Sequence, residues 1–530
     1  MKLTGIASAL LPLALLLPML CMAQGSVSTD DIAKLRDQIA AQQKQLDDQR
    51  QARDAAQKAL AAAQQSIDSQ QKLLDRLVAA QPAPAAVATQ TAAAPVAATL
   101  ATVAAEVDSV GRPFSPLSFH IGGADFTPNG FLDLSNVYRS RDIGSGTATS
   151  FGSVPFGNTA AGRMSEFRSS AQTSRFGLTI TDHPFANIAV TGYIEADFAG
   201  NQATSLYVTS NSNTLRMRHF YVDVQKGKWE VLGGQTWTML IPNRVGVSSA
   251  GSNVFLGFGE DANYLVGLPW TRPSQVRVVY HANKNWTLAA SIENPEQFVT
   301  AATTVPTFAA TQVDNGTVST TPNVRPDIIA KIAYDAKVAG KSFHFDMAGI
   351  SRQFRVTPAA GVFHGAQGVG GTFNAILEVA KNFRLIGNVL YGAGVGRYLG
   401  GLGPDLVIGS NGAVSPAHSA AGIAGFEYAP TPKSLFFAYY GGEYFGRNYT
   451  VVSPGNYLGF GFPGSTNANR QIQEPTFGYA YTFWKNPKYG ALQIFSQYAY
   501  LTRAPWSVAA GTPSVAHASM VFGALRFTLP

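Results

Sequence analysis

Cysteine is almost missing from this chain: one occurs in 530 residues, at Cys21. It lies at the end of an apolar N-terminal run, so the body beyond it has no disulfide, no thiol chemistry and no Cys-based metal site. Charge is scarce too, with Asp, Glu, Lys and Arg making up only 13%, about half the share of an ordinary soluble domain. Past the N-terminus no apolar run reaches the ~18 residues a membrane helix needs. Catalytic signatures are absent: no G-x-S-x-G, no H-E-x-x-H and no P-loop pattern. The histidines (His120, His183, His219, His281, His344, His364, His418 and His517) are scattered without metal-ligand spacing. The expectation is a chain without enzyme activity, metal or cofactor. The net charge of +7 is not gathered into basic clusters, which argues against a nucleic-acid partner.

What the chain does have is 52 Gly and 11% aromatic residues. With so little charge, that composition suits a sheet with one face in lipid. Residues 1–23 read as a secretory signal peptide, with Lys2 as the positive start, "LLPLALLLPML" (10–20) as the apolar stretch and Ala23 at the cleavage site. Lipidation at Cys21 is the alternative, but Leu20 stands where a small residue is expected.

Residues 24–81 carry heptads. With Ile32 as position a, the a sites are Ile32, Ile39, Leu46, Arg53, Leu60, Ile67 and Leu74. Six of these seven are Ile or Leu, which predicts a coiled coil. Most d sites are polar or small, among them Gln42, Gln49, Ala56, Ala63 and Gln70, a pattern that leans toward three strands rather than two. Residues 82–118, rich in Ala, Pro and Thr, read as a linker.

From 119 to 530 the pattern changes to alternation. Candidate strands lie near 130–139, 173–182, 187–198, 214–225, 228–236, 274–281, 285–293, 327–335, 341–351, 372–380, 382–393, 419–429, 433–442, 473–483, 490–499 and 517–528. Short turns such as "HPFA" (183–186), "QKGK" (225–228) and "HANK" (281–284) alternate with long Gly- and Ser-rich segments near 140–172, 199–213, 237–273, 294–325, 352–371, 394–418, 443–472 and 500–516. Short alternating with long predicts an outer-membrane barrel, with its turns in the periplasm and its long loops outside. The fold class is then an all-β transmembrane barrel of about 16 antiparallel strands behind an N-terminal coiled coil. An even strand count places both chain ends, and so the coiled coil, on the periplasmic side.

The segments "GFLDLSNVYRS" (130–140), "RMRHFYVDV" (216–224) and "GGQTWT" (233–238), together with this order of parts, resemble the DcaP-like porins, trimeric outer-membrane channels with a periplasmic coiled coil. The resemblance implies a sixteen-stranded barrel, a homotrimer and passive uptake of small anions such as dicarboxylates. The alternative is a structural tether whose coiled coil contacts peptidoglycan. Many such barrels end in Phe, whereas this chain ends "RFTLP".

Residues 111–530 hold 20 Arg and 10 Lys against 22 Asp and Glu. Nine of the ten Lys sit at the short turns, where they solvate a rim. An Arg within a strand must face inward, because in mid-bilayer it costs about 2–4 kcal/mol. Parity places Arg175, Arg277, Arg384 and Arg526 in the lumen. Arg216 and Arg218 join them only if a bulge breaks the parity they share with Phe220, Val222 and Val224. Guanidinium groups there would favour anions. They could instead pair with lumen carboxylates such as Glu195, Asp197 and Asp346. The longest loop, 237–273, contains "NVFLGFGEDANYLVGLPWTR" (253–272), too apolar for solvent. Its resemblance to porin loops implies that it folds inward and narrows the barrel, which would bring Arg244, Glu260, Asp261 and Arg272 to the constriction. Arg163, Arg168 and Arg447 are candidates for lipopolysaccharide contacts or the channel mouth.

Overall fold

The computed structural model describes residues 116–200, 212–249, 260–299 and 324–530, with two isolated helical positions at Gln43 and Asp47. The expected signal peptide, nearly all of the coiled coil and most of the linker lie outside the described residues.

The strands run in chain order. The first are β1 (Phe119–Ile121), β2 (Ala124–Arg139), β3 (Glu166–Ser170), β4 (Arg175–Phe185), β5 (Ile188–Asp197), β6 (Arg216–Lys226) and β7 (Trp229–Gln235). After an inner loop come β8 (Ser274–His281), β9 (Trp286–Glu293), β10 (Asp327–Val338), β11 (Lys341–Ala359), β12 (Val362–Ala380) and β13 (Phe383–Ala393). The short pair β14 (Leu406–Ile408) and β15 (Val414–Pro416) precedes β16 (His418–Thr431) and β17 (Ser434–Phe445). A second short pair, β18 (Asn448–Ser453) and β19 (Asn456–Phe460), precedes β20 (Asn469–Asn486), β21 (Gly490–Pro505) and β22 (Ala516–Thr528).

The wall is one antiparallel sheet that closes on itself, because β22 pairs back onto β2 with Leu134 opposite Leu525. Both β3 and β4 pair with β2, at Arg139↔Glu166 and Phe131↔Arg175. They are two halves of one interrupted wall strand, and the three-residue β1 pairs only with the start of β2, so the barrel has sixteen strands, and each of the sixteen segments read from the sequence overlaps one. Closure leaves no open edge, which hydrocarbon would not tolerate.

Alternation sets the two faces. Along β8 and β9, Val276, Val278, Leu288 and Ile292 point outward and are exposed, while Gln275, Arg277, Ser291 and Glu293 are buried on the lumen side. Near the short turns, aromatic pairs such as Trp229–Tyr280, Trp286–Tyr334, Phe436–Tyr479 and Trp484–Phe527 form a girdle. Aromatic belts of this kind sit at a membrane–water boundary.

One expectation fails. Residues 352–371 are not a loop: β11 and β12 continue through them as a paired hairpin, in register from Phe343↔Leu377 to Val356↔His364. The segment "GAQGVGGT" (365–372) is too glycine-rich to display alternation, yet cross-strand pairing needs only the backbone.

Candidate pore and its constriction

The loop between β7 and β8 enters the barrel, as its apolar sequence requires. Trp237, Met239, Leu240, Ile241, Leu265, Val266 and Leu268 are all buried. A buried loop must find partners for its backbone N–H groups, and here the wall supplies acceptors from six strands. Met239 N donates to Glu293 (2.9 Å), Asn243 N to Asp346 (3.1 Å) and Gly246 N to Asp335 (2.9 Å). Further along, Glu260 N donates to Gln497 (2.8 Å), Val266 N to Glu474 (3.1 Å) and Gly267 N to Glu443 (3.0 Å). Arg244 grips Glu427 with both ends of its fork, at 2.6 and 2.9 Å.

The closest approach is backbone to backbone. Gly267 has φ +93°, and a Cβ there would stand 2.5 Å from Gly422 O and 3.0 Å from Gly442 O. A Cβ on Gly441 would overlap Val266 O. Only glycine lets loop and wall meet this closely.

Opposite these anchors lies an arginine cluster. The register of β5 against β6 slips between Glu195↔His219 and Ala196↔Met217, so Arg218 is the extra residue of a bulge. That bulge re-aims the side chains: Arg218 and His219 are both buried, while Phe220 and Val222 face outward. Arg218 donates to Glu195 (2.6 Å), Asp197 (2.7 Å) and the Tyr264 hydroxyl (3.2 Å). Arg216 forms a two-pronged pair with Asp197, at 2.7 and 2.9 Å. Arg175 stands 3.8 Å from Glu195, with its guanidinium over the Phe131 ring.

The remaining candidates divide by accessibility. Arg277 is 2% exposed and donates to Gln275 Oε1 and Trp237 O, so it braces the loop's entry. Arg526 is held by Asp133 (3.0 Å) and Glu260 (3.3 Å) between the Phe131 and Phe495 rings. Arg218 is 4% exposed, whereas Arg175, Arg216 and Arg384 are 26%, 38% and 37% exposed. Of these six arginines, only the last three have substantially exposed side chains.

Within the loop, Arg272 lies over Trp237 and Trp270. Trp237, Tyr264 and Trp270 pack edge to face with centroids 5.8–6.4 Å apart. Burial, then the neighbouring Arg218 charge, pulls Arg272 down to about 9, still protonated at neutral pH. Burial alone would raise the Tyr264 hydroxyl, but Arg218 and Arg175 outweigh it and bring it down to about 8. Burial pushes Glu260 up to about 7 against the pull of Arg526. Burial also raises Asp261, which accepts from Thr149 N and Asn263 N.

Asp346 pairs with Lys331 (3.1 Å) and His344 (3.0 Å) rather than with an arginine. Lys331, which also caps Ile241 O at 2.8 Å, is the one barrel lysine away from the turns, and that odd placement was a signal in the sequence. Glu427, Glu443 and Glu474 were missed as anchors. Nothing local marks them, because their loop partners lie 176 to 208 positions away.

No family model matches the chain, and no curated protein matches it. Solved structures do. The chain is similar to the outer-membrane channel DcaP of Acinetobacter baumannii, with 19% identity, a TM-score of 0.55, and 77% of this chain and 98% of that chain covered. Weaker likenesses include an anion-selective porin from Comamonas acidovorans (14% identity, TM-score 0.44, 77% and 100% covered) and Salmonella typhi OmpF (8%, 0.43, 78% and 100%). The fold conclusion rests on the first: the described barrel shares its architecture with an outer-membrane channel.

Proposed function

We propose that this protein is an outer-membrane porin that passes small solutes passively and prefers anions, dicarboxylates among them. One observation supports the reading: a closed sixteen-stranded wall encloses a pinned inner loop, and the lumen-parity arginines Arg175, Arg216 and Arg384 keep partly exposed side chains. Guanidinium favours carboxylates by geometry as well as charge, and a sixteen-stranded barrel is wide enough for water. Arg218, Arg277 and Arg526 serve the same pore indirectly, by fixing its wall and loop. The homotrimer, the periplasmic coiled coil and contacts with lipid and lipopolysaccharide belong to the same reading.

In planar bilayers the channel should give reversal potentials favouring chloride over potassium. Replacing Arg175, Arg216 and Arg384 together with Gln should cut that preference several-fold. Replacing the turn lysines Lys337, Lys381 and Lys488 should do much less, because rim charges are screened beyond about 8–10 Å at physiological salt. A cation-preferring wild-type pore, or equal effects from both sets, would sink the proposal.

A further inference from the structure

A cavity of about 280 Å³, open to solvent, lies at the short-turn end of the lumen. Its basic lining residues are Arg384, Lys433 and Arg526, and its one carboxylate is Glu427. The charges there do not cancel, and the reason is stoichiometric. Glu427 Oε1 accepts from Arg244 Nη2 (2.6 Å) and the Tyr439 hydroxyl (2.8 Å), and Oε2 accepts from Arg244 Nη1 (2.9 Å). Its acceptor geometry is taken up by the inner loop. Arg384 reaches it only at 3.8 Å and donates no hydrogen bond among the described residues. Arg526 is already committed to Asp133 and Glu260. Lys433, which sequence position alone would assign to rim solvation, lines this cavity, and its ammonium has no partner among the described residues.

Two cations are therefore left over in one compartment, beside the neutral donors Gln493 and Asn382 and the apolar face of Phe131. We propose that Arg384 and Lys433 form a second anion subsite at the short-turn mouth, one that takes small carboxylates after they pass the constriction. This rests on the anion-channel reading and adds a second binding step to it. Charged donors facing a wet cavity hold a carboxylate weakly enough for release, and a site at the exit lowers the barrier for an anion leaving the arginine cluster. The assignment also separates Lys433 from the other turn lysines: Lys337, for example, is on β10 and does not line the cavity.

The test is block of chloride current by succinate, added to one side of an oriented bilayer at a time. The variants are K433Q, R384Q and the control K337Q, each in the full chain. From the short-turn side, the half-blocking concentration should rise about tenfold in K433Q and in R384Q, the factor for losing one charge-assisted contact. It should be unchanged in K337Q, and block from the loop side should be little altered in all three. Because Lys433 is an exposed turn residue, K433Q keeps the test valid even if R384Q fails to assemble. If K433Q blocks as wild type does, or K337Q shifts as much as K433Q, the subsite is wrong while the anion-channel reading stands. If the wild-type pore prefers potassium, the reading fails and the subsite with it.

Discussion

At the scale of single residues, the lumen is governed by which charges are already spent. Arg218 and Arg277 are buried and fully engaged, so they shape the pore without meeting solute. Glu260 is different, because burial holds it near the middle of the working pH range, at about 7. Below that pH it is neutral, and Arg526 then faces Asp133 alone. The lumen becomes more positive, so the chloride preference should increase as pH falls from 8 to 6. E260Q should weaken that dependence, leaving the part that comes from the Tyr264 hydroxyl at about 8; a reversal potential that moves with pH as much in E260Q as in wild type would assign the titration elsewhere. A carboxyl raised in the folded state stabilises below its unfolded value, and that contribution is lost as pH rises through about 7.

At the scale of elements, the inner loop uses wall carboxylates as backbone acceptors as well as in the Arg244–Glu427 ion pair. Val266 N and Gly267 N each have one such acceptor, Glu474 and Glu443. E443Q and E474Q retain a carbonyl oxygen and should leave both amides protected from hydrogen exchange. E443A and E474A leave a buried N–H without a partner, a cost of about 1–3 kcal/mol, and should speed exchange at those amides. Equal protection in the Ala variants would show that the glycine contacts alone hold the loop. This level was only partly legible in the sequence. The strands were visible because residues such as Val276, Arg277, Val278 and Val279 alternate against a lipid that admits no charge. The bulge at Arg218 announced itself as a parity conflict. The β11–β12 hairpin was hidden, because glycine carries no side chain to show a period. The anchors were hidden as well, since an Asn243–Asp346 contact spans 103 positions and leaves no local trace.

At the scale of the whole molecule, the closed wall is self-sufficient: every barrel strand has two hydrogen-bonded neighbours. Deleting residues 24–81 should therefore leave an inserted, conducting barrel. On the proposed trimer reading, the coiled coil adds oligomer stability without being needed for the wall. The isolated peptide 28–80 should sediment as a trimer at high concentration; a clean dimer in analytical ultracentrifugation would defeat the three-strand assignment. If the deletion variant failed to insert, the independence of wall and coil would be wrong.

The contact of Gly267 with Gly422 and Gly442 also limits how this barrel can be re-engineered. External loops are ordinarily interchangeable parts, swapped with regard only to their ends. Segment 237–273 is not modular in that sense. A recipient barrel must offer bare backbone where Gly441 on β17 offers it here, or the graft will stand off the wall by the thickness of a methyl group and shift the aperture. Conversely, a single alanine introduced into β17 at Gly441, whose Cβ would overlap Val266 O, would alter the passage from outside the loop altogether, so chimeras are best cut to carry β17 and the loop as one inherited unit.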